Sequence, residues 1–276
     1  MHALSYDDNA TAMIIGTGLM GQHLAKNAAG WLGLHKLIVV DFASSINVNG
    51  RQQSIHEFAE DMAADTDHQT QVVAETLDVA DETAVSALFE RHQNIRYFLY
   101  TAGISPSPLV APENVTKQDV LAAYEVNLWG AQNLLKQGII RQAFAPRTNG
   151  VFILSTSATV GSEGRASSAY ETSKGGLLNL ITLQSRYFLE THGLVLNGLA
   201  PSPLRGPMAA QNPVSAARLD SVEEQMPMGG LTTPAHIAAA TMYFWANECW
   251  SVGEVLTIDG GYTKHRPVYG ELTPKS

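Results

Sequence analysis

Only one cysteine occurs in the chain, Cys249. An intrachain disulfide and a thiolate metal cluster are therefore excluded, no metal site is expected, and Cys249 itself reads as a half-buried helix residue. No apolar run approaches the ~18 residues that a membrane-spanning helix needs. The opening MHALSYDDNA carries neither the basic cluster nor the apolar stretch of a secretory leader, so a cytoplasmic location is expected. Basic residues are scarce: 17 Lys and Arg against 26 Asp and Glu leave a formal charge of −9. That balance opposes nonspecific binding to nucleic acid or to an anionic membrane and leaves a small molecule as the expected partner. Charged residues are only 16% while hydrophobic ones reach 45%, enough for a sizeable core and too many for disorder. Repeats, low-complexity tracts and linkers are also missing, so residues 1–276 read as a single domain.

What is present is alternation. Short apolar runs recur at Met13–Ile15, Leu37–Val40, Val72–Leu77, Ile95–Tyr100, Val151–Leu154, Leu194–Leu199 and Val255–Ile258. Helical periodicity lies between them. In Arg51–Asp65, Ile55, Phe58, Ala59, Met62 and Ala63 form one apolar stripe. Asp81 is a candidate cap for a helix through Phe89, and Thr233-Pro234 reads as cap and first turn of a helix through Trp245. Strands alternating with helices predict an α/β fold: a doubly wound, parallel Rossmann sheet of about seven strands, helices on both faces.

The first run breaks into Gly16-Thr17-Gly18-Leu19-Met20-Gly21, the spacing G-x-G-x-x-G. A turn between a strand and a helix points free backbone N–H groups, reinforced by the helix dipole, at a pyrophosphate. Gly16 would permit the tight turn, Gly18 the close approach of phosphate and Gly21 the packing of helix on strand. The second strand ends in Asp41, twenty residues after Gly21. A carboxylate there accepts hydrogen bonds from ribose hydroxyls and repels a 2′-phosphate, which favours NAD over NADP.

Further along, "YETSK" sets Tyr170 and Lys174 four residues apart, on one face of a helix. Ser157 in "LSTSATVG" stands thirteen residues before the tyrosine, and "YEVNLWG" puts Asn127 in a helical stretch. With Asp78-Val79 after the third strand, "YTAG" (Tyr100–Gly103) after the fourth, "APSPL" after the sixth and "LTIDGGYT" at the seventh, the chain resembles the short-chain dehydrogenase/reductase family over roughly residues 12–263. The resemblance implies hydride transfer between an alcohol and a nicotinamide. Tyr170 would be the acid/base, Ser157 would bond the substrate oxygen, Lys174 would hold the nicotinamide ribose, and Asn127 would complete a proton path through a water. Asn127 could equally be a structural hydrogen-bonder. Ser155 lies on the same side of the strand as Ser157; the thirteen-residue offset points to Ser157. A free phenol titrates near ~10, and bringing Tyr170 to ~7 requires ~4 kcal/mol. Lys174 and the cationic nicotinamide have the right sign to supply it. Cofactor contacts carried over are Gly16, Gly18, Leu19, Met20, Gly21, Asp41, Asp78, Val79, Ala102, Gly103, Tyr170, Lys174 and Leu204. For Asp78, a capping role competes with a contact near adenine.

Three departures stand out. The family's TGxxxGxG loop is one residue shorter here and its last glycine is Gln22. Its Asn-Asn-Ala-Gly is Tyr100-Thr101-Ala102-Gly103, and the Pro-Gly after strand six is Pro201-Ser202, with Gly206 in place of a threonine. The nicotinamide amide would then be clamped by backbone at Leu204.

A substrate pocket is expected between the loop Ile104–Asn114, the segment Ala158–Ala169 and the insert Ser202–Leu231 (the last a mobile lid). Arg165 and Arg205 are candidates to grip an anionic group, or are surface arginines paired with Glu163 or with nothing. Ser105, Ser107 and Ser202 add polarity. A sugar, polyol or hydroxy acid is the favoured substrate class. A cofactor-binding sensor, or a lyase or epimerase on the same scaffold, are the alternatives. The resemblance further implies a homotetramer, or a dimer, packed through helices near Thr116–Phe144 and Ser168–Thr191, with the tail 264–276 beyond the usual end.

Overall fold

In the computed structural model, residues 4–31, 33–65, 69–106, 110–158, 168–210 and 213–264 are described. β1 (Thr11–Ile15) leads into α1 (Leu19–Trp31), β2 (Lys36–Asp41), β3 (Ser45–Val48), β4 (Arg51–Ser54) and α2 (Ile55–Asp65). Next come β5 (Gln71–Thr76), α3 (Glu82–Arg91), β6 (Ile95–Tyr100), α4 (Lys117–Tyr124), a π-helical turn (Glu125–Trp129) and α5 (Gly130–Ile140). β7 (Phe144–Ile153), α6 (Ser168–His192), β8 (Leu194–Pro201), α7 (Pro207–Ala210), α8 (Pro213–Glu224), α9 (Pro234–Trp245) and β9 (Val255–Ile258) complete the order.

The seven apolar runs become one parallel sheet, in the order β5-β2-β1-β6-β7-β8-β9. Strand pleating sorts the side chains to two cores. On β6, Tyr97 and Leu99 enter the core shared with Phe58, Met62 and Trp245, while Phe98 and Tyr100 enter that of Phe89, Leu134 and Ile181. Tyr97 stacks on Trp245 with ring centroids 5.4 Å apart. Connections leave β1 towards β2 and β5, then return to β6 on its other side. That reversal opens a crevice at the carboxyl ends of β1 and β6.

The anticipated caps are present. Asp81 accepts from the Thr83 and Ala84 amides, and Pro234 opens α9 after Thr233. Four expectations change. Residues 51–54 are strand rather than helix, because Asn49 and Gly50 adopt positive φ and close a hairpin; Ser54 and Glu57 then exchange hydrogen bonds and start the helix at Ile55. β7 begins at Phe144, seven residues before the apolar run. Its register shifts opposite β6, and Thr148 Oγ1 bonds the Ile95 carbonyl at 2.7 Å to bridge the irregularity. The helical stretch 116–144 is two helices joined by a π turn. Cys249 is fully buried and lies past α9, its carbonyl accepting from Arg147, because Ala246 turns to an extended conformation and ends the helix. The tail from residue 265 falls outside the described residues, and among those described no helix is long and apolar enough to cross a membrane.

Candidate active site

At the crevice, the Gly16 amide donates to the Val40 carbonyl, while Thr101 and Ala102 donate to that of Ile15. The glycine loop is thereby pressed against the loop after β6. Gly16 has a φ of +96°, and a Cβ on it would lie 2.6 Å from the Ala102 nitrogen. A Cβ on Gly21 would come within 1.9 Å of the Gly16 oxygen. Gly18 differs: nothing lies within 4 Å of the space its Cβ would take. Gly18 and Leu19 border a cleft of about 470 Å³, so the shortened loop leaves an open cradle at the start of α1, the geometry a pyrophosphate needs.

Two residues brace that loop. Asp41 Oδ2 accepts from the Thr17 amide at 2.6 Å and the Thr17 hydroxyl at 2.7 Å, and Oδ1 accepts from the Ala43 amide. The carboxylate expected to read ribose is thus also the anchor of the glycine turn. Gln22, standing where the family has glycine, donates to the carbonyls of Thr17 and of Asn47 in the hairpin. Asp78 is exposed and accepts from the Ala80 amide, whereas Val79 is buried.

Deeper in the cleft, Lys174 is buried and donates from Nζ to the Ile153 carbonyl at 2.7 Å. Burial pushes its pKa down to about 8. A Cβ on Gly103 would stand 3.2 Å from both Lys174 Nζ and Asn127 Oδ1, so glycine there admits the lysine. Asn127 is buried with every polar atom engaged: Oδ1 accepts from the Ile104 amide, and Nδ2 donates to the Ile104 carbonyl and to Ser173 Oγ. Its side chain ties the loop after β6 to α6.

The π turn has its own cause. The Gly130 amide bonds the Glu125 carbonyl, five residues back, which frees the carbonyl of Val126. The Tyr100 hydroxyl takes it at 2.6 Å. Gly130 makes the room, since a Cβ there would stand 2.4 Å from that hydroxyl. Tyr100, where the family has asparagine, is therefore a buried brace beneath the cleft.

Both serines after β7 reach the cleft. Ser155 Oγ accepts from Ser157 Oγ at 2.8 Å, and both line the cleft with Tyr170. Ser157 and Ser155 thus form one hydrogen-bonded pair beside the phenol. Burial pushes the Tyr170 pKa up to about 12; the Ser155 bond opposes this and Glu171 adds to it. The expected fall towards neutrality is not produced by the chain's own groups: Lys174 Nζ stands 5.8 Å from the Tyr170 ring centre, and burial of the phenol dominates.

Of the substrate candidates, Ser105 and Ser202 line the cleft, as does Leu204, expected at the nicotinamide. Ser202 is buried and shares a 2.7 Å hydrogen bond with Thr232. Arg205 does not line it; its guanidinium bonds Asp220 at 2.7 Å and also Glu223. Arg165 and Ser107 lie outside the described residues. Part of the insert supplies a wall: Leu219, Val222, Met226 and Leu231 form a small core against Tyr262. Sequence reasoning missed Thr17, Tyr262 and Arg218, all set by tertiary packing, though a threonine between two loop glycines was a visible signal.

A parallel sheet with a nucleotide cradle at its switch point and a Ser-Tyr-Lys cluster beside it defines a Rossmann-type oxidoreductase. The chain matches the family model described as enoyl-(acyl carrier protein) reductase over residues 42–263, and it belongs to the short-chain dehydrogenase/reductase family. The match begins immediately after Asp41, past the unusual glycine loop. It is similar to cis-4-hydroxycyclohexanecarboxylate dehydrogenase of Sinomonas cyclohexanicum, 29% identical over 195 residues that cover 67% of this chain and 74% of that protein. Short-chain dehydrogenase reductase 3b of Arabidopsis thaliana is 24% identical over 244 residues, 84% of this chain and 87% of that one. The crystal structure of a short-chain dehydrogenase/reductase, glucose/ribitol dehydrogenase, from Brucella melitensis has a TM-score of 0.76 at 20% identity, covering 94% and 99% of the two chains. That likeness is one of fold.

Proposed function

We propose that the protein is an NAD-dependent dehydrogenase that interconverts a small alcohol and its ketone or aldehyde. The observation that carries this is the convergence of Ser155, Tyr170 and Lys174 on the cleft that the glycine loop opens into. The oxidised nicotinamide, when bound, supplies the hydride acceptor and a positive charge. Ser155 donates a hydrogen bond to the substrate oxygen and orients it, with Ser157 behind it. Tyr170 takes the hydroxyl proton as the carbinol C–H leaves as hydride, and returns it in the reverse direction. Lys174, beside Gly103, would bond the ribose hydroxyls, and the nicotinamide charge would lower the cost of phenolate. Asn127 acts as a positioning residue that fixes Ile104, and with it Gly103, against Lys174.

Gly16, Gly18 and Gly21 form the pyrophosphate cradle, flanked by Leu19 and Met20. Asp78, Val79 and Ala102 border the adenosine side, and Leu204 the nicotinamide. Asp41 supports NAD, because its carboxylate opposes a 2′-phosphate. A sugar, polyol or hydroxy acid is the proposed range, and the name of the Sinomonas relative falls in it. Assembly as a homotetramer through α4, α5 and α6 is supported by Leu121, Leu183 and Tyr187, which these helices expose. Light scattering tests the assembly. For the activity, the purified protein is given NAD⁺ or NADP⁺ with a panel of polyols, sugars and hydroxy acids, and absorbance at the NADH band is followed. Turnover with NAD⁺ that Tyr170→Phe abolishes is expected; no turnover with any alcohol and either nucleotide overturns the reading.

A further inference from the structure

The wall that α8 contributes to the cleft carries one positive charge, Arg218, beside Leu219 and Val222. Both nearby acids of that helix are committed elsewhere: Asp220 and Glu223 bond Arg205 on the other side of α8. Residues 218, 222 and 219 span the cleft face, while at ~100° per residue 220 lies opposite it and 223 at its flank. Among the described residues, Arg218 has no hydrogen-bond or ion-pair partner, although its side chain is half-buried. The surroundings are mainly apolar, with Leu204, Met208, Leu219, Val222 and Tyr262 lining the same space. An arginine held there keeps its charge and offers a planar fork of donors.

We propose that Arg218 is a specificity-determining residue, and that it takes the carboxylate of a hydroxy acid whose hydrocarbon body lies against the apolar wall while its hydroxyl meets Ser155 and Tyr170. This rests on the dehydrogenase reading and narrows it from sugars and polyols to hydroxy acids. One cation matches one negative charge, and the Glu171 carboxylate in the same lining opposes a phosphate dianion. Arg205, the candidate that sequence alone offered for this role, is neutralised by its two carboxylates.

Two arms test it. In the first, binding of cyclohexanecarboxylate and of cyclohexanecarboxamide to the NADH-loaded protein is measured by calorimetry for the wild type, Arg218→Gln and Arg218→Lys. The wild type is expected to bind the carboxylate more tightly than the amide. Arg218→Gln is expected to lower that preference about 30-fold, the loss of a charge-assisted bidentate contact, and Arg218→Lys to restore part of it. Equal binding of acid and amide by the wild type, or a preference unchanged in Arg218→Gln, overturns the proposal. In the second arm, kcat/KM for 4-hydroxycyclohexanecarboxylate relative to 4-hydroxycyclohexanecarboxamide is expected to fall by the same factor in Arg218→Gln, through KM. Failure of all alcohols to turn over counts against the dehydrogenase reading alone, because the first arm needs no chemistry. A wild type that oxidises the amide as well as the acid counts against Arg218 alone.

Discussion

Asp41 Oδ2 receives both the amide and the hydroxyl of Thr17, at 2.6 and 2.7 Å. One carboxylate thus holds the glycine turn, and it is the same group proposed to select NAD. Replacing it with alanine leaves the buried Thr17 amide unpaired, at a cost of ~1–3 kcal/mol. Asp41→Ala is expected to lower the urea midpoint and to raise KM for NAD⁺. A variant with wild-type stability that merely exchanges NAD⁺ for NADP⁺ would contradict the anchoring role.

The two serines separate by kinetics. Ser155→Ala removes the group that bonds Tyr170 and is expected to lower kcat ~100-fold or more, the scale of losing one donor to a reacting oxygen. Ser157→Ala is expected to cost no more than ~10-fold, since Ser157 acts through Ser155. Steady-state kinetics on both variants decides, and the reverse order restores the thirteen-residue rule.

Burial lowers the pKa of Lys174 from its ordinary 10.5 to about 8, so between these values the unfolded chain binds the extra proton. Stability therefore rises with pH across that window, by ~3 kcal/mol if complete. Tyr170, raised from 10.0 to about 12, acts oppositely above pH 10, where the unfolded chain loses its proton first. Subtracting the thermal midpoints of Lys174→Met from those of the wild type between pH 7.5 and 10 isolates the lysine. The difference is expected to climb with pH; a flat or falling difference refutes the assigned direction.

Tyr100 and Gly130 are coupled through the Val126 carbonyl. Tyr100→Phe leaves that buried carbonyl unpaired, for ~1–3 kcal/mol. Gly130→Ala drives a methyl against the Tyr100 hydroxyl and against Val79 Cγ2 at 2.6 Å, for a further ~1–3 kcal/mol. In a double-mutant cycle read by urea unfolding, the pair is expected to cost less than the sum, because removing the hydroxyl relieves one of the two clashes. Strict additivity would show that the two sites do not meet.

The seven strands, the glycine turn and the Tyr170–Lys174 face were all legible because each depends on local periodicity or on spacing along a single element. The choice between Ser155 and Ser157 was not legible, for the opposite reason. Which of two serines on one side of a strand meets the phenol depends on the short 3₁₀ turn Thr156–Ala158, whose geometry no spacing rule contains. The hairpin from Ser45 was missed because Arg51–Ser54 is polar and short, though Asn49-Gly50 marked its turn. Arg205 and Arg218 looked alike in sequence; only the facing of α8 separates a paired arginine from one lining the cleft. Tyr100 could be read as a departure from the family, but its partner lies on a helix whose irregular turn has no signature in composition.

That irregular turn has a consequence for helix phase. A single π turn adds one residue to an otherwise α-helical path, which rotates everything after it by ~100° relative to everything before. Residues 117–140 can thus present their first half to α6 and their second half to α3, a change of partner that a straight helix of the same sequence could not make. Removing one residue from 125–129 would put the whole segment back in one phase. Either Ala123 or the Leu134–Leu135 pair would then face solvent.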